Sequence, residues 1–333
     1  MKPRLGFLGT GWIGQNRMAA MLATGAVEAA AVCDPAQENA AAALALAPGA
    51  QRGGSLDEML ALDLDGVAIA TPSALHAQQA VAALAAGAAV FCQKPLGRTA
   101  REVRAVVAAA RAADRLLGLD LSYRHTAAMR AIAPLVRSGE LGRVFAVDLT
   151  FHNAYGPDKP WFYDRALSGG GCVIDLGVHL VDLALWTLGY PAVTEVYADL
   201  RAGGAPLGEV GIEDFALAGF TAGGVPVRLA CSWRLHAGRD AAIEAVFHGT
   251  EGGAALRNVD GSFYDLVAER FAGTRTERLT HAPDDWGGRA AAAWAVQLAE
   301  SRQFDPQAEQ FAASAEVLDR IYAAALGMEA RAA

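Results

Sequence analysis

Short apolar runs alternate with helical patterns over the first 121 residues of the chain. The apolar runs predict strands, and they lie at 4–9, 28–34, 66–71, 88–92 and 116–121. The segments between them have apolar residues at helical spacing and end at glycine or proline. Because this alternation is typical of a parallel sheet covered by helices on both faces, we expect a doubly wound α/β domain over residues 1–121.

The pattern changes after residue 121. A helix at 126–139, a longer strand at 143–153 and a helix at about 170–188 come first. Apolar runs joined by glycine-rich turns then follow one another closely, at 193–200, 215–221, 225–233, 242–249 and 253–258. Strands spaced in this way form antiparallel or mixed sheets. We therefore expect a second, α+β domain over residues 122–333, with a helical tail.

The composition is that of a globular protein with an acidic balance. Of the 333 residues, 53% are hydrophobic, and the formal net charge is −8, which excludes a disordered chain and argues against nucleic-acid binding. The four cysteines are widely spaced without a CxxC pair, as expected for reduced thiols in a cytoplasmic protein. The first residues run directly into a strand, so no signal peptide is expected. No uninterrupted apolar run reaches about 18 residues, so no membrane span is expected.

A glycine-rich loop joins the first strand to the first helix. It has the spacing G-x-G-x-x-G, and its residues are Gly9, Thr10, Gly11, Trp12, Ile13 and Gly14. With Asp34 at the end of the second strand, this pattern is a dinucleotide fingerprint. The glycines let the main chain approach a pyrophosphate at a helix amino end, and Asp34 would accept hydrogen bonds from the ribose. Because Asp34 would repel a 2′-phosphate and no arginine follows it, we expect NAD rather than NADP.

The apolar helix at 168–189 carries three polar side chains on one face. Asp175, His179 and Asp182 fall at i, i+4 and i+7, within a roughly 60° arc. Buried carboxylates cost free energy unless they are paired, so this stripe indicates either general acid/base chemistry or a structural role. In the structural alternative, His179 is a satisfied core histidine and Asp182 bonds to main chain or arginine. A metal site is disfavoured, because no clustered cysteine or second His/Asp group supports it.

Lysine is scarce in this chain, yet one directly follows a predicted buried strand. Lys2, Lys94 and Lys159 are the only lysines, and Lys94 stands in the sequence Gln93-Lys94-Pro95 after the strand at 88–92. In a doubly wound sheet the carboxyl ends of strands face the ligand crevice. The strand therefore delivers Lys94 to that crevice, where a planar arginine would be a poor substitute.

Ordered motifs spread over nearly the whole chain resemble one family of enzymes. They are the glycine loop, ATPSALHAQQAVAALAAGAAVFCQKPL at 70–96, SYRH…LVRSGELGRVFAVDLTF, W…SGGG…DLGVHLVDLALWTLG and VFHGTEGGAAL. They are similar to the Gfo/Idh/MocA family of sugar and cyclitol oxidoreductases, named after glucose–fructose oxidoreductase and inositol dehydrogenase. The resemblance implies a Rossmann domain, a C-terminal domain with an open, mostly antiparallel sheet, and a homodimer or homotetramer. It implies an NAD-dependent dehydrogenase acting on CH–OH groups of a polyol or sugar.

Residue roles follow from the resemblance. Lys94 would lie beside the nicotinamide and the reacting hydroxyl, Asp175 would orient the substrate, and His179 would take the proton. Lys94 would hydrogen-bond the substrate oxygen as charge develops and keep the pKa of His179 low by repulsion. Further cofactor contacts are implied for Thr71, Pro72, His76, Gln93, Arg124 and Trp161. Further substrate contacts are implied for Tyr123, Asn153, Tyr155, Phe162, Tyr163 and Arg165, and for the last five an ordinary packing or surface role is equally open.

The chain departs from the family pattern at Gln93, where glutamate is usual. The amide keeps the shape and hydrogen-bonding capacity but loses one charge near Lys94. Catalysis is still expected, because Lys94, Asp175 and His179 are all present. Two alternatives stay open: a non-catalytic dinucleotide-binding sensor, and a same-fold enzyme with another reaction, such as a dihydrodiol dehydrogenase or an NAD-dependent glycosidase. The resemblance also suggests a cis peptide bond between Lys94 and Pro95.

Overall fold

The computed structural model describes residues 1–208 and 211–327, and they divide into two compact units. The first unit contains Met1–Ser122 and Gly287–Ala312. The second contains Tyr123–Trp286 and the segment that begins at Ala313. Residues 287–312 lie within the predicted second domain but pack with the first unit. The predicted helical tail reaches residue 330, and its part beyond residue 327 lies outside the described residues.

The first unit is built on a six-stranded parallel sheet with strand order β3-β2-β1-β4-β5-β6. Its strands are β1 (Arg4–Leu8), β2 (Glu28–Cys33), β3 (Gln51–Arg52), β4 (Gly66–Ile69), β5 (Ala89–Cys92) and β6 (Leu117–Leu119). Its helices are α1 (Trp12–Ala23), α2 (Gln37–Leu46), α3 (Leu56–Leu60), α4 (Ser73–Ala85), α5 (Ala100–Ala113) and, late in the chain, α9 (Arg289–Glu300). This order is that of the Rossmann fold, so the predicted fold class is confirmed. All carboxyl ends of the strands meet at one edge of the sheet.

Helix α9 belongs to the first unit because it fills a groove on that sheet. The Trp294 ring lies 5.7 Å from the Phe91 ring, and Trp294 is almost fully buried. Gly118 in β6 leaves room for this indole, since a Cβ there would collide with the Trp294 ring. Gly66 in β4 also approaches it, with a Cβ placed 3.0 Å from the indole. The sheet surface is therefore shaped to receive a helix from the far end of the chain.

The second unit is built on a nine-stranded sheet with strand order β15-β14-β13-β12-β7-β11-β10-β8-β9. Its strands are β7 (Val144–Asn153), β8 (Val193–Ala202), β9 (Ala205–Pro206), β10 (Phe215–Ala222), β11 (Val225–Ser232), β12 (Ala241–Gly249), β13 (Gly253–Asn258), β14 (Leu266–Ala272) and β15 (Arg275–Arg278). Strands β7 and β11 pair in parallel, and the other neighbours pair antiparallel. The open, mostly antiparallel sheet is confirmed, and β9, β14 and β15 are additional to the predicted strands.

Helices line one face of this second sheet. They are α6 (Ala127–Arg137), α8 (Val178–Leu188) and α10 (Glu309–Ala325), the last beginning within the segment 287–312. A short helix, α7 (Arg165–Ser168), precedes α8 in the chain. Helix α8 follows a π-helical turn, Val173–Gly177, and short 3₁₀ turns occur at Ser122–His125, Pro160–Tyr163 and Pro306–Ala308. Along β7, Val147, Leu149 and Phe151 alternate towards the buried core.

The helical stretch Arg165–Leu188 is the one segment among the described residues that is long and apolar enough to cross a membrane. Its mean hydropathy is 1.5, and 83% of its most apolar window is buried inside the protein. That burial is what a core helix under a sheet requires.

Candidate active site

The three glycines of the loop after β1 differ in what a side chain at each position would contact. Gly9 has φ +81°, and a Cβ there would lie 2.7 Å from the Ala70 main chain. A Cβ on Gly14 would collide with the carbonyl oxygen of Gly9. Glycine is therefore required at positions 9 and 14, because other main-chain atoms of the protein approach too closely for a Cβ. At Gly11, by contrast, a Cβ would meet nothing nearer than Asn39 Nδ2 at 4.0 Å.

The space at Gly11 lies at the amino end of α1. No side chain caps this end, and the first turn holds no acidic residue. Unpaired N–H groups and the helix dipole favour an anion there. Because the protein's own packing does not explain the missing side chain of Gly11, the loop fits a bound pyrophosphate. Thr10 is buried and Trp12 is exposed, while Ile13 is half-buried in the first turn.

Asp34, directly after β2, is buried and held against the glycine loop. Its Oδ2 accepts a hydrogen bond from Thr10 N at 2.6 Å, and its Oδ1 accepts from Ala36 N at 2.9 Å and Asn39 Nδ2 at 3.3 Å. A carboxylate has about four acceptor positions, and the fourth donor, Thr10 Oγ1, lies at the limit of hydrogen-bond distance from Oδ2, at 3.5 Å. A ribose hydroxyl would replace this weakest contact. Asp34 and Asn39 thus stand together at the edge of the loop, beside Gly11.

The loop after β4 and the turn after β5 are joined by His76 of α4. His76 is buried, with Nε2 at 2.6 Å from the Thr71 carbonyl and Nδ1 at 2.7 Å from the Pro95 carbonyl. Burial lowers the pKa of His76, and a neutral imidazole has one N–H, which bonds one of these two carbonyls. Both ring nitrogens thus face the main chain, so His76 orders the cofactor-side loops. Pro72 is the N-cap residue of α4, and Thr71 Oγ1 donates to Gln79 at 2.6 Å.

Lys94 stands in the turn after β5, half-buried. The Lys94–Pro95 peptide bond is cis, as the resemblance suggests. Gln93 folds back beside it: its Oε1 accepts a hydrogen bond from Lys94 N at 2.8 Å, and its Nε2 donates to Asp120 at 2.9 Å. The structure therefore places Lys94 at the carboxyl edge of the first sheet, as predicted, and adds Asp120 behind it.

In the second unit, close packing fixes the start of the helix that carries Asp175 and His179. A Cβ on Gly171 would collide with the Glu213 carbonyl, which explains why the SGGG element ends in glycine. Glu213 is fully buried, and its Oε1 accepts hydrogen bonds from Gly171 N at 2.9 Å and Val173 N at 3.0 Å. It thereby satisfies amino-terminal N–H groups that the helix itself leaves unpaired. Asp175 follows in the π-helical turn, a feature that frequently marks functional sites.

Asp175 and His179 each contact an aromatic residue of the same unit. Trp233, at the end of β11, donates from Nε1 to Asp175 Oδ2 at 3.1 Å. The Tyr123 ring packs 4.8 Å from the His179 ring. Burial and, to a smaller extent, the charge of Asp175 raise the pKa of Tyr123, so its hydroxyl stays protonated at neutral pH. The structure thus brings Tyr123, Asp175 and His179 together and adds Trp233.

Asp182 has a separate, structural environment. Its carboxylate receives Arg124 through Nη2 at 2.5 Å and Nε at 2.7 Å and the Tyr190 hydroxyl at 3.1 Å. Asp182 is 2% exposed, and its arginine partner is also largely buried. The structural alternative therefore holds for Asp182, and the Arg124 guanidinium, predicted to contact the cofactor, is an internal partner of this carboxylate.

The predicted substrate loop contributes an aromatic cluster. Trp161 and Phe162 stack at 3.8 Å, and Phe162 and Tyr163 each meet the Trp233 ring edge-on, at 6.4 and 5.7 Å. Because Trp233 also holds Asp175, these rings border the carboxylate. The remaining predicted residues make other contacts: Tyr155 bonds Asp240 at 2.7 Å and Asn153 accepts from Tyr155 N, while Arg165 lies over the Tyr322 ring at 5.4 Å.

Sequence reasoning did not find four residues that hold the site, namely Asn39, Asp120, Glu213 and Trp233. Trp233 is the last residue of a predicted strand. That strand pairs with β7, which leads into the loop that holds the aromatic residues, so an aromatic residue at this strand end could have been predicted to lie near the site. Asp120 likewise follows a strand whose carboxyl end faces the ligand edge. No group of three or more His, Cys, Asp or Glu side chains within 1–208 and 211–327 could hold a metal ion.

Comparison with known proteins assigns both parts of the chain. Residues 4–121 match the model of an oxidoreductase family with an NAD-binding Rossmann fold, and residues 129–255 match the GFO/IDH/MocA C-terminal domain. The chain is 35% identical over 202 residues to 1,5-anhydro-D-fructose reductase of Ensifer adhaerens, covering 59% of this chain and 58% of that protein. It is 33% identical to an Amycolatopsis mediterranei protein provisionally named UDP-kanosamine synthase oxidoreductase subunit, covering 77% of this chain and 75% of that protein.

Solved structures share the fold over nearly the full length. The structure titled GenD2 from gentamicin A biosynthesis in complex with NAD superposes with a TM-score of 0.81 at 25% identity, covering 97% of this chain and 94% of that one. Levoglucosan dehydrogenase in complex with NADH and levoglucosan superposes with a TM-score of 0.83 at 23% identity, covering 98% and 97%.

Proposed function

Because this chain belongs to the GFO/IDH/MocA family of oxidoreductases, we propose that it is an NAD-dependent dehydrogenase of a sugar, a sugar derivative or a cyclitol. The observation that carries the proposal is the space at Gly11, at the uncapped amino end of α1. It fits a dinucleotide pyrophosphate, and the chain's own packing does not otherwise explain it. The names of the related proteins, which include inositol and levoglucosan dehydrogenases, support a polyhydroxylated substrate.

Three side chains divide the work at the reacting hydroxyl. Bound NAD⁺ supplies the carbon that accepts the hydride. His179 takes the hydroxyl proton, so that the C–H pair leaves as hydride while the oxygen becomes a carbonyl. Lys94 donates a hydrogen bond to that oxygen as negative charge develops on it. Asp175, held by Trp233 Nε1, orients the substrate by accepting from a hydroxyl.

The aromatic cluster beside Asp175 supports a sugar or cyclitol ring. Phe162 and Tyr163 meet the Trp233 indole edge-on, and Trp161 stacks on Phe162. A sugar or cyclitol ring can pack its C–H groups against aromatic surfaces of this kind. A carboxylate next to aromatic rings provides a polar and an apolar contact for one polyhydroxylated ring. The resemblance assigns Tyr123 to the substrate and Trp161 to the cofactor, and the contacts of Tyr123 with His179 and of Trp161 with Phe162 agree with these roles.

Asp34 supports NAD over NADP. Its buried carboxylate, oriented by Thr10, Ala36 and Asn39, offers an acceptor to a ribose hydroxyl and repels a 2′-phosphate. We further propose a cytoplasmic homo-oligomer. Tyr197 and Leu217 are about half exposed on the sheet face opposite the helices of the second unit. Exposed ion pairs such as Arg228–Asp148 and Arg257–Glu244 share that face, and a mixed apolar and polar surface of this kind is common at contacts between subunits.

The test follows reduced-cofactor absorbance while the protein is mixed with NAD⁺ and a panel of sugars and inositols. We expect turnover with at least one member, and a loss of about a hundredfold or more in kcat for Lys94→Ala and for His179→Ala. Lys2→Ala and His248→Ala, at an exposed end and on the open sheet face, are the matched controls. Undiminished turnover in the first two variants would refute the assigned roles, and a preference for NADP⁺ would contradict the interpretation of Asp34.

A further inference from the structure

A fully buried carboxylate, Asp120, lies behind the Lys94 turn and has no part in the roles above. It directly follows β6, and its N–H donates to the Cys92 carbonyl at 2.9 Å. Its Oδ2 accepts from Arg17 Nε at 2.6 Å and from Gln93 Nε2 at 2.9 Å. Its Oδ1 is buried and has no hydrogen-bond partner among the described residues. Burying a carboxylate is costly unless it is well paired, so an incompletely paired one needs a reason.

Asp120 determines which way the Gln93 amide faces. A carboxylate can only accept hydrogen bonds, so the amide must present its NH₂ group to Asp120. The amide oxygen then faces the other way and accepts from Lys94 N at 2.8 Å. With the amide reversed, its oxygen would oppose Asp120 Oδ2 and its NH₂ would oppose the Lys94 N–H. The Lys94 main chain is therefore held by an amide whose orientation Asp120 selects.

Arg17 connects this arrangement to the dinucleotide helix. It lies on α1, one turn after the glycine loop, and is buried. Its Nε bonds Asp120, and its Nη1 donates to Asn16 Oδ1 at 2.6 Å. A continuous chain of bonds thus runs from α1 through Arg17, Asp120 and Gln93 to the Lys94 main chain.

We propose that Asp120 is a positioning residue that sets Lys94 relative to the dinucleotide helix by orienting the Gln93 amide. The proposal rests on the function proposed above. It also explains the glutamine at position 93. A glutamate there would set a second carboxylate against Asp120 Oδ2, which already accepts from the Arg17 guanidinium. The hydrogen bond between positions 93 and 120 can form when one residue carries an amide and the other a carboxylate, whichever residue carries which group.

The decisive experiment exchanges the two groups. Gln93→Glu places carboxylates on both sides of the contact, and the double variant Gln93→Glu/Asp120→Asn restores one amide and one carboxylate. We expect kcat to fall about tenfold or more in Gln93→Glu, equivalent to about 1.4 kcal/mol, with KM changed less than about threefold. We expect the double variant to recover to within about threefold of the natural protein. Asp57→Asn, at an exposed position of α3, controls for the loss of a carboxylate.

A readout that needs no substrate separates this proposal from the proposed function. In a Lys2→Arg/Lys159→Arg background Lys94 is the only lysine, so peptide mass spectrometry can follow its acetylation by acetic anhydride separately from that of the amino-terminal amine. The rate reports on the exposure and the pKa of Lys94 together. We expect Gln93→Glu to change that rate at least about threefold and the double variant to reverse the change. Unchanged Lys94 acetylation in Gln93→Glu, or a double variant no more active than Gln93→Glu, overturns the proposal. Reversal of the acetylation change without turnover on any substrate would instead refute the proposed function.

Discussion

Replacing Glu213 by glutamine should flatten the pH dependence of the stability of the second unit. Burial raises the pKa of Glu213 and outweighs the hydrogen bonds from Tyr322, Val173 and Gly171, which lower it. The unfolded chain loses this proton near pH 4.3, while the folded protein keeps it to higher pH. The folded state therefore binds more protons above that pH, so the free energy of unfolding falls as pH rises through the raised pKa.

The size of the effect follows from the linkage of one proton. The slope contributed by Glu213 is at most about 1.36 kcal/mol per pH unit, reached where the folded form is protonated and the unfolded form is not. Glutamine has no such proton, so its variant lacks this slope. Its NH₂ group would take the place of Oε2, where the protonated carboxyl also has no hydrogen-bond partner in the described part of the chain, so the two side chains are closely matched while Glu213 is protonated. The variant should thus be close to the natural protein in stability at the acidic end of the range and gain on it as pH rises.

Urea unfolding between pH 5 and 8, followed by tryptophan fluorescence, measures this slope. Glu277→Gln, the same chemical change at an exposed position of β15, serves as the matched control, and the difference between the two slopes isolates the effect of burial. Parallel curves for the natural protein and Glu213→Gln over this range would show that Glu213 folds with its charge, and the reasoning would be refuted.

Three further predictions concern the site itself. Gly11→Ala should fold normally but bind NAD⁺ at least about tenfold more weakly, as measured by calorimetry. Gly14→Ala should instead lose thermal stability, because its Cβ would clash with the Gly9 carbonyl oxygen. Equal NAD⁺ affinity in Gly11→Ala would contradict the pyrophosphate site. Trp233→Phe keeps the ring but removes the donor to Asp175, a bond worth about 1.5–3 kcal/mol, so kcat/KM should fall about 10-fold to 150-fold; an unchanged value would show that the bond is dispensable. Asp182→Asn should destabilise by about 3 kcal/mol or more in urea unfolding while NAD⁺ affinity is retained, and a stable variant would show that its arginine pair is not structural.

Much of the first unit was predictable because its signals are local. Strand, glycine turn and helix are contiguous around Gly11, and Lys94 is the second residue after its strand, so the parallel sheet brings both to one edge. The contacts that hold these groups were not local. Trp233 and Asp175 are 58 positions apart, and Arg17 and Asp120 are 103 apart, so their pairing depends on packing that no periodicity encodes.

Periodicity was also incomplete where the helix is irregular. Regular spacing grouped Asp182 with Asp175 and His179, but the π-helical turn precedes α8 and Asp182 meets Arg124. The strand β14 was missed because Glu269 and Arg270 interrupt its apolar run. The domain assignment followed chain order, which gives no indication that α9 returns to the first sheet.

The return of α9 sets the order in which this protein can be completed during synthesis. The groove between Gly66, Phe91 and Gly118 is filled by Trp294 of α9. Helix α9 is synthesised about 170 residues after β6, the last strand of that sheet. At a synthesis rate of about 5–20 residues per second, that delay is on the order of ten to thirty seconds. A nascent first unit therefore exposes an apolar groove on the ribosome for that time. A fragment ending at Ser122 would carry the same exposed groove permanently, so the dinucleotide unit should be excised only together with residues 287–312.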